Sequence, residues 1–182
     1  PHGQDLTHIA DQIGLTDRQV LFSTQKVPLD RMPMFYNLAD VTVNISDAEG
    51  FGLATLESLS CATPIIATMT GGLQEQVIGP AGMNGIGLYP SSKVIIGSQQ
   101  VPYIYEDRIS KKSFMAALDQ MYDGGEEFRK ELGDNGRIHV LENYNFDNFN
   151  KTWVDLMLKI HEEEGSWETR KGYSSITFKE VA

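Results

Sequence analysis

Two glutamates and a glycine-flanked loop form the part of the sequence best suited to chemistry. The loop reads E-G-F-G at residues 49–52 and leads into a segment of helical spacing, and seven residues separate Glu49 from Glu57 in that segment. Paired glycines let a backbone come close to a ligand and take dihedral angles that other residues avoid. A helix that begins here would present unpaired N–H groups and a partial positive charge. The stretch is therefore a candidate phosphate-binding loop between two carboxylates.

Short apolar runs before and after this segment predict the elements that hold the loop. Residues 41–45 and 64–68 are mostly β-branched and apolar, which suits strands buried on both faces of a parallel sheet. A helix that joins two parallel strands forms a right-handed crossover. Helical spacing over residues 53–61 would turn inward Leu53, Leu56, Leu59 and Ser60.

A second glycine loop, at residues 70–72, follows the second predicted strand. In an open α/β sheet, both loops would lie at the carboxyl ends of neighbouring strands, where ligands bind. Backbone amides of residues 50–53 and 71–72 would then converge on one cavity. We expect that cavity to be the least negative concavity of the protein.

Four features of this stretch together form a family pattern. They are the run E-G-F-G-L, the seven-residue gap to the second glutamate, the apolar strand that begins at Pro64 and the G-G-x-x-E at residues 71–75. The pattern closely resembles the C-terminal domain of retaining glycosyltransferases of the GT-B fold, the group that includes sucrose and glycogen synthases. The resemblance covers about residues 20–160. Ile45 and Ala62 depart from it, since the family usually has Pro and Gly there.

The resemblance implies an α/β fold, with a Rossmann-like parallel sheet flanked by helices, which is the C-terminal half of a GT-B fold. Because family members carry further strands and a whole domain ahead of the first helix here, it also implies that the first strands and the N-terminal domain are lacking. We assign residues 1–164 to a Rossmann-like nucleotide-sugar-binding domain with an inserted hairpin at residues 91–109. Residues 165–182 are polar and are expected to form a C-terminal tail.

Apolar spacing predicts the remaining elements. Near the start, it predicts a helix over residues 6–13 that Gly14 ends, a strand at residues 20–23 and a helix within residues 27–40. The later elements are predicted as a helix at 74–78, a strand at 86–89 and helices at 111–123, 126–143 and 146–164.

The resemblance also implies roles for individual residues. Glu49 would be the catalytic residue, placed beside the donor sugar to position it and to stabilise positive charge at the anomeric carbon, without attacking that carbon. Glu57 would accept hydrogen bonds from both ribose hydroxyls of the nucleotide, because a carboxylate offers only acceptors. The other nucleotide-sugar-binding residues would be Lys26, Val27, Gly50, Phe51, Gly52 and Leu53.

Structural alternatives remain open for these residues. Glu57 on periodicity alone is a solvated helix glutamate, and Glu49 is a carboxylate that caps a helix N-terminus. For Lys26 and Val27, an exposed surface loop has equal weight, since loop positions are the hardest to place from a sequence.

The composition limits the classes of molecule that the protein can be expected to bind. A net charge of −10 argues against nucleic acid and anionic membranes, and no apolar stretch reaches the length of a membrane span. One cysteine, Cys61, fits a reducing compartment, so we expect a cytoplasmic protein. The four histidines show no metal-ligand spacing, and no bound metal is expected.

The resulting hypothesis is the donor-binding part of a metal-independent, retaining glycosyltransferase. It has no permanently bound cofactor and uses a UDP-, GDP- or ADP-sugar as donor, with an unknown sugar, lipid or protein as acceptor. The N-terminal GT-B domain would be supplied by the same or another chain. The alternatives are a nucleotide-sugar epimerase or phosphorylase of the same fold, and a non-catalytic nucleotide-binding or regulatory module.

Overall fold

The computed structural model of the chain describes residues 4–166 and 168–172. The chain divides into two compact units, Pro1–Met32 and Pro33–Ala182. The domain limits proposed from the sequence stay predictions, and most of the polar tail lies outside the described residues.

The first unit contains the helix α1, Leu6–Gln12, and a short 3-10 helix, Leu29–Arg31. Asp5 caps α1, because its carboxylate accepts a 3.0 Å hydrogen bond from the amide of His8. Gly14 follows with φ of 79°, the left-handed conformation that commonly ends a helix.

Residues 20–23 form no strand, so that prediction was wrong. A strand is stable only when its backbone N–H and C=O groups pair with a neighbour. Residues 20–23 pair with no strand of the described chain, and the side chain of Leu21 is 82% exposed. Apolar, β-branched composition alone is therefore not enough to make this segment a strand.

The remaining helices and strands follow in the chain from residue 32 onward. The helices are α2 Met32–Leu38, α3 Leu53–Ser60, α4 Leu73–Val77, α5 Lys111–Asp123, α6 Gly125–Asn143 and α7 Phe146–Glu164. The strands are β1 Thr42–Asn44, β2 Ile65–Thr68, β3 Ile78–Gly79, β4 Gly82–Met83, β5 Gly85–Leu88, β6 Ser92–Ile96 and β7 Ile104–Arg108.

A parallel sheet of order β1-β2-β5 forms the centre of the fold. Every residue of β2 is buried, and its side chains alternate between two apolar layers. Ile66 packs in the layer that contains Ala117 of α5 and Leu132 of α6. Ile65 packs in the opposite layer, which contains Leu59 of α3. The predicted α/β fold, a parallel sheet flanked by helices, is confirmed.

Two details of the central crossover differ from the prediction. β1 is an edge strand of the described sheet, and Val43 is 41% exposed, so this strand is not buried on both faces. Leu53 of α3 is 67% exposed, whereas Thr55 and Ser58 are fully buried. Polar side chains can face inward here because each has a hydrogen-bond partner within the fold.

The two buried hydroxyls of α3 are both hydrogen-bonded within the fold. The Thr55 hydroxyl donates a 2.7 Å hydrogen bond to the carbonyl of Gly52. The Ser58 hydroxyl oxygen lies 2.8 Å from the hydroxyl of Thr42 and 3.0 Å from the carbonyl of Thr63. Through these contacts, α3 is fixed against β1 and against the turn before β2.

An antiparallel hairpin follows the last strand of the sheet. It is formed by β6 and β7, with Ile96 opposite Ile104 and Ser92 opposite Arg108. Its interpretation as an insertion into the family fold stays a prediction. A smaller pair, β3 and β4, lies between α4 and β5.

Candidate functional site

Two glycine loops meet at the carboxyl edge of the sheet. Since β1 and β2 are parallel, residues 45–52 and 69–72 both leave the sheet at this edge. The amide of Gly72 donates a 3.2 Å hydrogen bond to the carbonyl of Gly50. A Cβ on Gly71 would collide with the carbonyl oxygen of Glu49. The two loops are therefore in direct backbone contact.

This contact predicts the effect of adding one methyl group at Gly71. The residue has φ of 47°, and left-handed backbone alone costs an alanine about 1–2 kcal/mol. Because the added Cβ also collides with the first loop, we expect Gly71→Ala to lower the free energy of unfolding by more than this. Denaturant unfolding measures it. The control is Gly125→Ala, where φ is 72° and no atom lies within 4 Å of the added Cβ. Equal losses for both variants would contradict the loop contact.

The first loop opens directly into α3. Gly52 is the N-terminal cap residue, with φ of 87° and ψ of 62°, and a Cβ on it would lie 2.5 Å from Leu73 Cδ2. Only glycine fits this position without strain. Phe51 packs edge-on against Tyr144, with ring centroids 5.6 Å apart. The loop thus packs against Tyr144 and Leu73, while Leu53, the first residue of α3, is exposed.

The second loop contributes packing more than free amides. The amide of Gly72 donates to the carbonyl of Gly50, and that of Leu73 donates a 3.2 Å hydrogen bond to the carbonyl of Thr70. The expectation that amides of both loops converge on an anion is therefore wrong for Gly72. An anion at this edge would depend on the N-terminus of α3.

Glu57 is exposed on α3 and has a partner that the sequence did not indicate. Its Oε2 accepts a 2.8 Å hydrogen bond from the hydroxyl of Tyr36 on α2. Burial, with help from this hydrogen bond and the nearby carboxylate, raises the pKa of Tyr36 to about 12. At neutral pH, Tyr36 therefore remains a donor. A carboxylate has about four acceptor sites, so Glu57 keeps acceptor capacity on both oxygens beside the bond from Tyr36.

Glu49 lies in the loop after β1 and is partly buried. Its carboxylate has no hydrogen bond or ion pair to any residue in the described part of the chain. α3 has no side-chain cap at its N-terminal residue either. The helix-cap alternative for Glu49 thus finds no hydrogen bond in this structure.

The hairpin β6–β7 is attached to the loop that carries Glu49. The amide of Asp107 donates a 2.9 Å hydrogen bond to the carbonyl of Asp47. Arg108 Nη1 lies 2.8 Å from Asp47 Oδ2. Because both side chains of this pair are partly exposed, the ion pair contributes at most about 1 kcal/mol. Its main effect is to fix the base of the hairpin two residues before Glu49, a contact that the sequence did not reveal.

Lys26 and Val27 belong to the first unit, in a segment without helix or strand. Their part in the site stays a prediction. Within residues 4–166 and 168–172, no group of three or more His, Cys, Asp or Glu is arranged to hold a metal ion. Over the same residues, no helix has the length and apolar character needed to cross a membrane.

Comparison with known proteins identifies the family. The sequence model of the family described as "Glycosyl transferases group 1" matches residues 2–96, just over half of the chain. The chain belongs to this family. The family predicted from the E-G-F-G-L and G-G-x-x-E motifs is therefore confirmed.

Curated members of the family match parts of the chain. The D-inositol 3-phosphate glycosyltransferase of Acidothermus cellulolyticus is 42% identical over 72 residues, which are 40% of this chain and 16% of that protein. The uncharacterized glycosyltransferase MJ1607 of Methanocaldococcus jannaschii is 30% identical over 128 residues, 70% of this chain and 27% of that protein. The chain thus spans about a quarter or less of the length of these relatives.

Solved structures show the same fold. The sucrose-phosphate synthase from Thermosynechococcus elongatus is similar with a TM-score of 0.66 and 24% identity, over 86% of this chain and 33% of that one. The C-terminal domain of the group 1 glycosyltransferase LpcC from Francisella tularensis is similar with a TM-score of 0.54 and 25% identity, over 77% of this chain and 60% of that one. The predicted GT-B fold class is confirmed.

Proposed function

We propose that this chain is the donor-binding part of a retaining glycosyltransferase that takes a sugar from a nucleotide diphosphate sugar. The observation that carries the proposal is the opening of α3 out of the E-G-F-G loop at the carboxyl edge of the sheet. This arrangement puts on one stretch of chain a helix N-terminus, the exposed Glu57 and the Glu49 carboxylate, which has no partner among the described residues.

Each part of the nucleotide-sugar substrate would bind to a different group on this stretch of chain. The diphosphate would accept hydrogen bonds from the amides of Gly52 and Leu53, at the positive end of the α3 dipole. The ribose hydroxyls would donate to the Glu57 carboxylate. These local donors would offset the charge of a UDP-, GDP- or ADP-sugar, although the protein has a net charge of −10.

Glu49 would act on the sugar. With no partner in the described chain, its carboxylate is available to a sugar hydroxyl and to positive charge that develops at the anomeric carbon. The proton released by the acceptor would pass to the leaving diphosphate, on the same face of the sugar as the bond that breaks. This course retains the anomeric configuration.

The acceptor side of the cleft is assigned to an N-terminal GT-B domain in the same or another chain. A sugar, lipid or protein acceptor fits this proposal. We place the reaction in the cytoplasm, in keeping with the single cysteine, Cys61, which is free.

Turnover of nucleotide sugars tests the proposal. The full-length protein is incubated with UDP-, GDP- and ADP-hexoses and a panel of acceptors, and nucleotide release and anomeric configuration are followed by NMR. We expect one donor to release its nucleoside diphosphate and to give a product of unchanged anomeric configuration. An inverted product, an epimerised sugar that keeps its nucleotide, release that depends on inorganic phosphate, or binding without release would each contradict the proposal.

A further inference from the structure

Gln76 is a fully buried polar residue directly beneath the E-G-F-G loop. It lies on α4 and has an exposed fraction of 0%. Its side-chain Nε2 donates to the carbonyl oxygen of Phe51 at 2.6 Å and to that of Gly52 at 3.2 Å. The two hydrogens of one carboxamide therefore engage two consecutive peptide groups of the loop.

The hydrogen bond from Gln76 to the Phe51 carbonyl fixes the direction of one loop amide. In a planar trans peptide, the C=O and N–H bonds point in opposite directions. The peptide that carries the Phe51 carbonyl also carries the amide of Gly52, and the peptide that carries the Gly52 carbonyl also carries the amide of Leu53. Because Gln76 holds the Phe51 carbonyl from the buried side, the Gly52 amide is turned away from the core. The Gly52 carbonyl also accepts from the Thr55 hydroxyl at 2.7 Å and from the Leu56 amide at 3.2 Å, so α3 itself fixes the Leu53 amide.

We propose that Gln76 is a positioning residue that, through the Phe51 carbonyl, fixes the direction of the Gly52 amide, one of the two amides that would receive the donor diphosphate. The inference rests on the proposed function of this loop. Gln76 does not touch the ligand. It acts through the loop, in the way that a preorganised backbone donor is kept aligned with an anion.

The surroundings of Gln76 are unfavourable for a residue kept for stability alone. Its Oε1 is buried and has no hydrogen-bond partner among the described residues. Such an acceptor costs free energy that an apolar side chain of similar volume would not. The backbone of Gln76 itself is fixed by Asn84, whose Nδ2 donates to the Gln76 carbonyl at 2.9 Å. The carboxamide thus pairs two loop carbonyls while its own oxygen has no partner among the described residues, which fits a role in setting the loop.

The experiment compares a nucleoside diphosphate with the matching nucleoside, each titrated calorimetrically into the full-length protein. The Gln76→Leu variant removes both hydrogen bonds, and Gln76→Glu keeps the shape but turns an acceptor oxygen toward the two carbonyls. For both variants, we expect diphosphate affinity to fall about ten- to a hundredfold, which corresponds to the loss of one charge-assisted hydrogen bond. Affinity for the nucleoside should be unchanged.

Gln74 provides a matched control on the same helix. It is exposed, and its Nε2 lies 3.3 Å from the carbonyl of Gly71 in the second loop. We expect Gln74→Leu to leave both affinities unchanged. A parallel fall in diphosphate and nucleoside affinity in the Gln76 variants, or no fall in either, would overturn the proposal.

A second readout keeps this inference separate from the proposed function. If the wild-type protein binds the diphosphate no better than the nucleoside, the proposed donor site fails, and the carbonyl ¹³C shifts of Phe51 and Gly52 decide the role of Gln76. Shifts that change at these two residues in either variant support positioning. Unchanged shifts contradict it. Should Gln76→Glu fail to fold because it buries an unpaired carboxylate, Gln76→Leu alone gives both readouts.

Discussion

Replacing Glu49 with glutamine should lower kcat of the full-length enzyme by about a hundred- to a thousandfold, the range seen when one electrostatic stabiliser of a transition state is removed. Glutamine keeps the shape and one acceptor, but it loses the negative charge. That charge matters most when positive charge develops at the anomeric carbon, so KM for the donor should change far less than kcat. Steady-state kinetics on the donor identified by turnover measures this.

The fold should tolerate the Glu49 substitution. The carboxylate has no hydrogen bond or ion pair to the described chain, so its replacement removes none, and the melting temperature should stay within the range of an ordinary surface change. The control is Glu127→Gln, an exposed carboxylate in the first turn of α6. An unchanged kcat in Glu49→Gln, or a loss equal to that of the control, would leave Glu49 without a catalytic role.

The core of the fold follows from the sequence because it depends on side-chain type and spacing. The apolar run that became β2 is buried along its whole length, and α5 and α7 begin and end where helical spacing predicts. In β2 and α5, the burial of apolar area is the dominant free-energy term. α7 has no buried residue, and its start is marked by the Asn145 cap, whose side chain accepts from the amide of Asn148. Residues 20–23 have similar composition but no strand partner in the described chain, and pairing is a property that a local pattern cannot contain.

The site was also predictable only in part, because a local pattern does not show which distant residues come into contact. The E-G-F-G loop and the α3 helix are local features, and the sequence located both. The contacts that orient them join residues far apart in the chain. Tyr36 reaches Glu57, Gln76 reaches the carbonyls of Phe51 and Gly52, and Arg108 reaches Asp47.

The inward face of α3 shows a further limit. A pattern that ranks residues by hydrophobicity turns Leu53 inward, but the structure buries Thr55 and Ser58. Their hydroxyls find partners in Gly52, Thr42 and Thr63 that no local pattern shows. Polar residues that are satisfied inside a fold are invisible to periodicity.

Glu57 offers the most direct test of the donor-site assignment. Glutamine at this position keeps the shape, loses the charge and turns one acceptor into a donor, so one charge-assisted bond to the ribose should be lost and the other weakened. We expect a loss of nucleotide affinity of about ten- to a hundredfold. The free energy of unfolding should change by less than about 0.5 kcal/mol, because Glu57 is exposed and the glutamine side-chain oxygen can still accept the hydrogen bond of Tyr36.

The decisive measurement is calorimetric titration of a nucleoside diphosphate into the full-length protein, its Glu57→Gln variant and its Glu75→Gln variant. Glu75 is the matched control, an exposed glutamate in the first turn of the neighbouring helix α4. We expect the large loss of affinity for Glu57→Gln and a much smaller one for Glu75→Gln, with the melting temperature unchanged in both. Small and equal losses at the two positions would make Glu57 an ordinary solvated glutamate and contradict the assignment of this site to the donor nucleotide.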